Sequence, residues 1–298
     1  MDMPAPFIQV EALYFQARET GTSVAIYQQE PSSRLENGKV IHHSFKTHFG
    51  GRIQGGLFTP EDNWEVSIQF LHYHARVTEE FKEGIFYPTW VHPAKDSGGY
   101  VDQLRSRWRL HLGVLDLMLA KGWDVSACLQ LKPYAGLRFA GVRFKSRIDY
   151  RGGTLFPGAE EDISMKNKFW GVGPLVGIES LWRLGESFGL FAKAGCSLLY
   201  GNTYIHQDEE ETGSDQGKIK LYDEFKQTRK IAEMGIGFDL RHCIGCSQLY
   251  ARVGWQLYFL LGANQALRFV DSSMEGNVVG NLGDLILQGL TFGVGLNF

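Results

Sequence analysis

Apolar and polar residues alternate with a period of two along most of this chain. In the last segment Leu290, Phe292, Val294, Leu296 and Phe298 share one face, and Gly289, Thr291, Gly293, Gly295 and Asn297 share the other. Successive side chains of a strand point to opposite faces, so the pattern is that of a strand. The same alternation sets Leu249, Ala251, Val253, Trp255, Leu257 and Phe259 against Tyr250, Arg252, Gly254, Gln256 and Tyr258. It sets Trp64, Val66, Ile68 and Phe70 against Glu65, Ser67 and Gln69, and Trp108, Leu110, Leu112 and Val114 against Arg105, Arg107, Arg109 and His111. Read in order, the pattern predicts ten strands: Ile8–Arg18, His42–Phe58, Trp64–Arg76, Gln103–Leu119, Asp124–Ser146, Met165–Ser180, Phe188–Asn202, Lys226–Arg241, Gln248–Gly262 and Leu282–Phe298.

The connections carry as much information as the strands. Thr59–Asn63, Ala120–Trp123, Leu181–Ser187 and His242–Ser247 are short, whereas Glu19–Ile41, Val77–Asp102, Arg147–Ser164, Thr203–Phe225 and Ala263–Asn281 are long. Short and long alternate without exception, which puts every tight turn at one end of the sheet and every long loop at the other. That asymmetry is the pattern of an outer-membrane barrel, with tight periplasmic turns and long external loops. The expected fold is an all-β, antiparallel up-and-down transmembrane barrel forming one domain over residues 1–298.

Period two alone does not tell a membrane barrel from a soluble one, because turning the sheet inside out preserves it. Trp64, Trp123 and Trp182 fall in or beside short turns, where an aromatic girdle sits at the level of the lipid headgroups. The chain also ends in Phe298 at the close of a full strand. Assigning each apolar face to lipid gives a band that includes Val66, Ile68, Leu110, Leu112, Leu129, Val176, Ile236, Val253 and Leu257. The opposite parity then lines the lumen with Lys46, Arg52, Arg105, Arg107, Arg109, Lys132, Arg138, Lys193, Arg229, Arg241 and Arg252 against Glu11, Glu65, Glu179, Glu233 and Asp239. Asp116 is the misfit, a carboxylate on a face assigned to lipid.

Composition narrows the alternatives. The chain has 298 residues, 36 glycines, 13% aromatic residues and a formal charge of −3. Near neutrality argues against a nucleic-acid partner, which calls for a basic stripe. No apolar run reaches the roughly 18 residues that a spanning helix needs. Met1–Pro4 has neither the basic nor the apolar region of a signal peptide, which suits a mature chain whose leader has been removed. The long connections hold 21 Asp and Glu against 9 Lys and Arg, an acidic crown that divalent cations could bridge to anionic lipopolysaccharide.

Several phrases resemble a known family. Phe169-Trp170-Gly171-Val172-Gly173-Pro174, Ser197-Leu198-Leu199-Tyr200-Gly201, Leu131-Lys132-Pro133-Tyr134-Ala135-Gly136-Leu137-Arg138 and the opening Ala12-Leu13-Tyr14-Phe15-Gln16-Ala17-Arg18-Glu19 are similar to the Legionella-type pore-forming outer membrane proteins, themselves similar to the major outer membrane proteins of chlamydiae. The resemblance implies an abundant barrel of the bacterial outer membrane that conducts solutes, and it transfers no catalytic residue.

The sequence holds few other chemical motifs. Gly213-Ser214-Asp215-Gln216-Gly217-Lys218 is one residue short of a phosphate loop and is followed by Ile219 where Ser or Thr must hold magnesium. His42-His43, and His206 with Asp208, have no third ligand at fixed spacing. Cys128 is expected in the lumen and Cys196 on the lipid face. Cys243 and Cys246 share one short turn, where the oxidising periplasm favours a local disulfide or a cross-link, and the family resemblance implies disulfide-linked envelope proteins as partners. The expectation is therefore a non-enzymatic barrel without cofactor or metal, in contact with outer-membrane lipid, lipopolysaccharide and small solutes or ions. The leading reading is a porin-like channel for small hydrophilic solutes, narrow and weakly anion-selective because of its cationic lumen. The alternative is a non-conducting structural or surface-interaction barrel.

Overall fold

The computed structural model describes residues 5–30, 37–59, 64–92, 99–212, 218–245, 247–269 and 278–298. Its strands are β1 (Ala5–Glu19), β2 (Ser23–Gln28), β3 (Lys39–His42), β4 (Thr47–Phe58), β5 (Trp64–Phe81), β6 (Ile85–Pro88), β7 (Gln103–Lys121), β8 (Trp123–Asp124), β9 (Leu129–Gly152), β10 (Phe156–Arg183), β11 (Phe188–Thr212), β12 (Ile219–Ile244), β13 (Ser247–Phe269) and β14 (Val278–Asn297). Ten of them, β1, β4, β5, β7 and β9 to β14, pair antiparallel in chain order, and β14 returns to β1 from Phe7↔Asn297 to Glu19↔Leu285. The barrel is closed. The two ends of the chain meet at the short-turn end, where the Phe298 amide donates to the Pro6 carbonyl at 3.0 Å.

The outer wall carries exposed large apolar side chains on every barrel strand, among them Val10, Ile53, Val66, Leu117, Leu137, Val176, Leu198, Ile236, Val253 and Phe292. A contiguous apolar surface of this extent has to be covered, and for a closed barrel the cover is lipid.

Four of the long connections prove more ordered than their sequence suggests. Arg147–Ser164 is mostly strand: β9 runs to Gly152 and β10 begins at Phe156. The turn between them uses Gly152 and Gly153, both at φ 69°. At Gly153 a Cβ would lie 2.1 Å from the Tyr100 carbonyl oxygen, so only glycine fits. Thr203–Phe225 likewise extends β11 and β12. The charged residues of Arg147–Ser164 read as loop in sequence, yet they pair across strands: Arg151 with Glu160 at 2.7 Å, and Arg147 with Asp162.

The Glu19–Ile41 and Val77–Asp102 connections supply β2, β3 and β6, a small sheet in the order β3-β2-β6. Its residues Val24, Ala25 and Phe86 pack with Trp90 and with Leu104, Ile148, Tyr150, Phe156 and Ile163 of the barrel, closing the outer mouth. Trp90 Nε1 and Thr89 Oγ1 both donate to the Ser23 carbonyl, and Tyr150 donates to that of Val24.

His43, between β3 and β4, is buried beside Phe45 and Ser106. Burial, with His42 adding to it, lowers its imidazole to about 4. It is neutral at pH 7, so the 4.0 Å approach of Glu79 is not an ion pair there. An undocked crown takes up the proton below about pH 6.5, the docked one only near 4. The contribution is therefore complete above 6.5 and lost as the pH falls towards 4, about 3 kcal/mol in all. Amide exchange of β2, β3 and β6 should accelerate over that interval, and His43→Gln should flatten the dependence. Equal pH dependence in both proteins would contradict this assignment.

Candidate functional site: a filled lumen

The lumen has two layers with different chemistry. In the outer half, inward side chains of successive strands form one apolar core: Leu13, Phe15, Leu71, Tyr73, Trp108, Leu110, Leu112, Val142, Phe144, Phe169, Leu199, Ile231, Leu260 and Leu287. A barrel wall of ten strands encloses more space than the eight that side chains just fill, and here large apolar residues occupy it. Among the described residues Glu19 and Arg229 are the buried acid and base at this level. Glu19 accepts from Trp108 Nε1, and Arg229 donates to the Ala263 carbonyl at 2.9 Å.

Below that core lies a charged layer. Among the described residues six cations, Arg52, Lys132, Arg138, Lys193, Arg241 and Arg252, face six carboxylates, Glu11, Glu65, Asp116, Glu179, Glu233 and Asp239. Arg138 of β9 is fully buried and clamps Asp116 of β7 with two bonds of 2.7 Å, while its Nη2 also donates to Glu233 at 3.1 Å. Arg52 reaches Glu11 at 2.7 Å and Gln256 at 2.5 Å. Lys132 reaches Glu65 at 3.1 Å and Glu179 at 3.9 Å. Arg252 bridges Glu179 at 2.9 Å and Asp239 at 2.6 Å, and Arg241 joins Asp239 at 2.6 Å. Fork-shaped guanidinium groups matched to carboxylates satisfy several lone pairs at once, which is what lets such charges stay buried.

Aromatic rings fill the space left by lumen glycines. Tyr134 lies so close to Gly177 and Gly195 that a Cβ at either would fall within 2.3 and 2.5 Å of it. Tyr250 lies against Gly295 in the same way. The periplasmic end of the lumen opens as a vestibule of about 350 Å³, lined by Gln9, Gln54, Glu65, Lys132, Glu179, Lys193 and Arg252 among others.

Several sequence assignments are corrected by this placement. Arg105, Arg107 and Arg109 do not line the lumen: on β7 the even positions point inward, and Leu110 and Leu112 lie in the core, not on lipid. The even face of β7 is the more apolar over Ser106–Val114 because it meets the apolar half of the lumen, so apolarity misassigned it. Asp116, the apparent misfit, is an inward residue paired with Arg138. Lys46 is exposed between β3 and β4. Cys128 is exposed in the turn before β9 instead of in the lumen, and Cys196 is exposed on the outer wall. Cys243 is exposed; Cys246, and with it the proposed pairing, lies outside the described residues.

The remaining predicted lumen residues, Arg52, Lys132, Arg138, Lys193, Arg252, Glu65, Glu179 and Glu233, do face inward. Trp64, Trp123 and Trp182 are exposed beside the short turns, and Lys121 lies over the Trp64 ring at 5.1 Å. His206 and Asp208 bond at 2.6 Å on the outer wall of β11, with Tyr222 edge-on to the imidazole. Among the described residues no three His, Cys, Asp or Glu side chains gather where a metal ion could be held.

Comparison with known proteins gives one family. Residues 5–298 match the family described as Legionella pneumophila major outer membrane protein precursor. No curated protein matches the chain. Among solved structures, the outer membrane protease OmpT of Escherichia coli is similar at 13% identity over 100% of this chain and 98% of its own, with a TM-score of 0.49. A Pseudomonas aeruginosa FadL homologue is similar at 7% identity over 100% and 90% of the two chains, with a TM-score of 0.32.

Removing one partner of a buried pair strands the other, at a cost of about 3–5 kcal/mol. Asp116→Ala should therefore lower the stability of the folded barrel by roughly that amount, read from urea titration of the heat-modifiable band on gels. Glu160→Ala, whose partner Arg151 is exposed, should cost well under about 1 kcal/mol. Equal losses in the two variants would mean that the lumen pair is solvated.

Proposed function

Because the chain belongs to the Legionella major outer membrane protein family and is a barrel of the bacterial outer membrane, we propose that it is a non-conducting barrel acting as a structural and surface-interaction protein of the envelope. It is not an enzyme in this reading. The observation that supports it is the filling of the lumen. The sequence-based case for an anion-selective porin rests on a surplus of inward cations, and that surplus shrinks to Arg229 alone, at the level of Glu19 in the outer half, when Lys46, Arg105, Arg107 and Arg109 lie outside and Asp116 lies inside. What remains is six cations against six carboxylates, with an apolar core behind them. An ion entering the vestibule meets the Arg138–Asp116–Glu233 cluster and then a layer lined mainly by apolar side chains. Dehydrating an ion there is opposed by several kcal/mol.

The vestibule favours a second reading, a narrow channel that opens when the charged layer rearranges, since Lys193 faces the vestibule from β11 beside Glu179 of β10. Planar-bilayer recording on the refolded protein separates the two. The wild type should show no steady single-channel steps, and Arg138→Ala combined with Tyr134→Ala should introduce noisy conductance. Resolved wild-type steps whose reversal potential under a salt gradient marks anion preference would restore the porin reading.

A further inference from the structure

The outward face of β5, β7, β9 and β10 changes character abruptly above its apolar part. On these strands the last outward apolar residues are Phe70, Leu115, Phe139 and Trp170, and beyond His72 and His74, Gly113 and His111, and Gly141 the outward positions turn to arginine and lysine. Arg76, Arg109, Arg143, Lys145, Lys166 and Lys168 form a contiguous patch. The register places like charges opposite each other at Arg76↔Arg109, Arg109↔Lys145, Lys145↔Lys166 and Arg143↔Lys168.

Directly opposed side chains have Cβ atoms about 5 Å apart, and like charges there repel. None of these six cations makes an ion pair with a carboxylate among the described residues. The contrast lies one step further from the apolar band. There Arg107 and Arg147 share Asp149, at 2.6 and 3.2 Å, and Arg151 holds Glu160. The protein neutralises its upper cations itself and leaves the lower ones unneutralised.

A second feature adjoins them. Gly113 and Gly141 are register partners on the outer wall, between the apolar residues and the cations, and a Cβ on either would meet nothing within 4 Å. They leave a shelf of bare backbone walled on one side by the exposed ring of Trp170, the register partner of Gly141. On β13, by contrast, the outward face stays apolar through Trp255, Leu257, Phe259 and Leu261.

We propose that this patch is a binding site for the phosphorylated headgroup of an outer-leaflet glycolipid of the lipid A type. Its phosphates lie among Arg109, Arg143, Lys145, Lys166 and Lys168, its sugars rest on the Gly113–Gly141 shelf against Trp170, and its acyl chains run along Leu115, Phe139 and Val172. The three chemistries of that amphiphile, anionic, saccharide and apolar, occur here in the order in which a leaflet presents them. The site needs no divalent bridge, which separates it from attachment through the acidic residues of the outer loops.

The test uses the full refolded chain in detergent with EDTA present, and diphosphoryl lipid A, monophosphoryl lipid A and inorganic phosphate as probes. Native mass spectrometry should show one diphosphoryl lipid A retained by the wild type, and monophosphoryl lipid A bound more weakly. Lys145→Gln with Lys166→Gln should weaken binding at least tenfold. Gly113→Leu with Gly141→Leu should do the same by filling the shelf, with heat-modifiable migration unchanged. Without lipid, the lysine variant should melt at a higher temperature than the wild type, because its repulsion is relieved; with lipid A the order should reverse. Binding unaltered in both variants, binding that disappears with EDTA, or stabilisation by inorganic phosphate equal to that by lipid A would each overturn the proposal.

Discussion

A backbone amide in hydrocarbon has no water to bond with, and each one left unpaired costs about several kcal/mol. Pairing of β14 with β1 removes the last two free edges of the sheet, and most other features follow from that closure. A closed wall has one face on lipid and one on a space of fixed size. The outer face must be apolar through the bilayer, and the inner face must fill what the wall encloses or leave it to water. This chain fills most of it, with an apolar core towards the outside and a charge-balanced layer towards the periplasm.

The two layers depend on each other. The apolar core excludes water from above, so the Arg138–Asp116 pair sits at 2% exposure or less, where an unmatched charge would be intolerable. Matching is achieved across four strands, since Asp116, Arg138, Glu233 and Arg52 come from β7, β9, β12 and β4. The charged layer in turn fixes the register of those strands against one another, because a slip of one residue would turn each charge towards lipid. Glycines at Gly177, Gly195 and Gly295 let Tyr134 and Tyr250 approach the wall closely enough to pack the remaining space.

All ten barrel strands and the sorting of turns from loops were legible in the sequence, because period two and the length of connections are local signals. So were the inward positions of β4, β9, β10, β12 and β13, where the inward face is polar or glycine-rich over its periplasmic half. β7 misled, because both its faces are apolar over part of their length: Leu115, Leu117 and Leu119 meet lipid and Leu110, Leu112 and Val114 meet the core. The choice needed a non-local fact, that the outer lumen is dry. Asp116 was the available signal, since a carboxylate near the bilayer marks the inward parity more firmly than a run of leucines marks the outward one. The crown sheet was not legible. Its strands are short, and they are held by contacts such as Trp90 to Ser23 between distant segments.

The account turns on which way β7 faces, because that choice decides both the charge of the lumen and the cationic outer wall. Single tryptophans placed at Leu112 and at Leu117, in a background whose native tryptophans are replaced by phenylalanine, can be challenged with brominated lipid in vesicles. The structure predicts strong quenching at 117 and little at 112. Quenching at 112 with none at 117 would return Arg105, Arg107 and Arg109 to the lumen and contradict the filled, charge-balanced barrel.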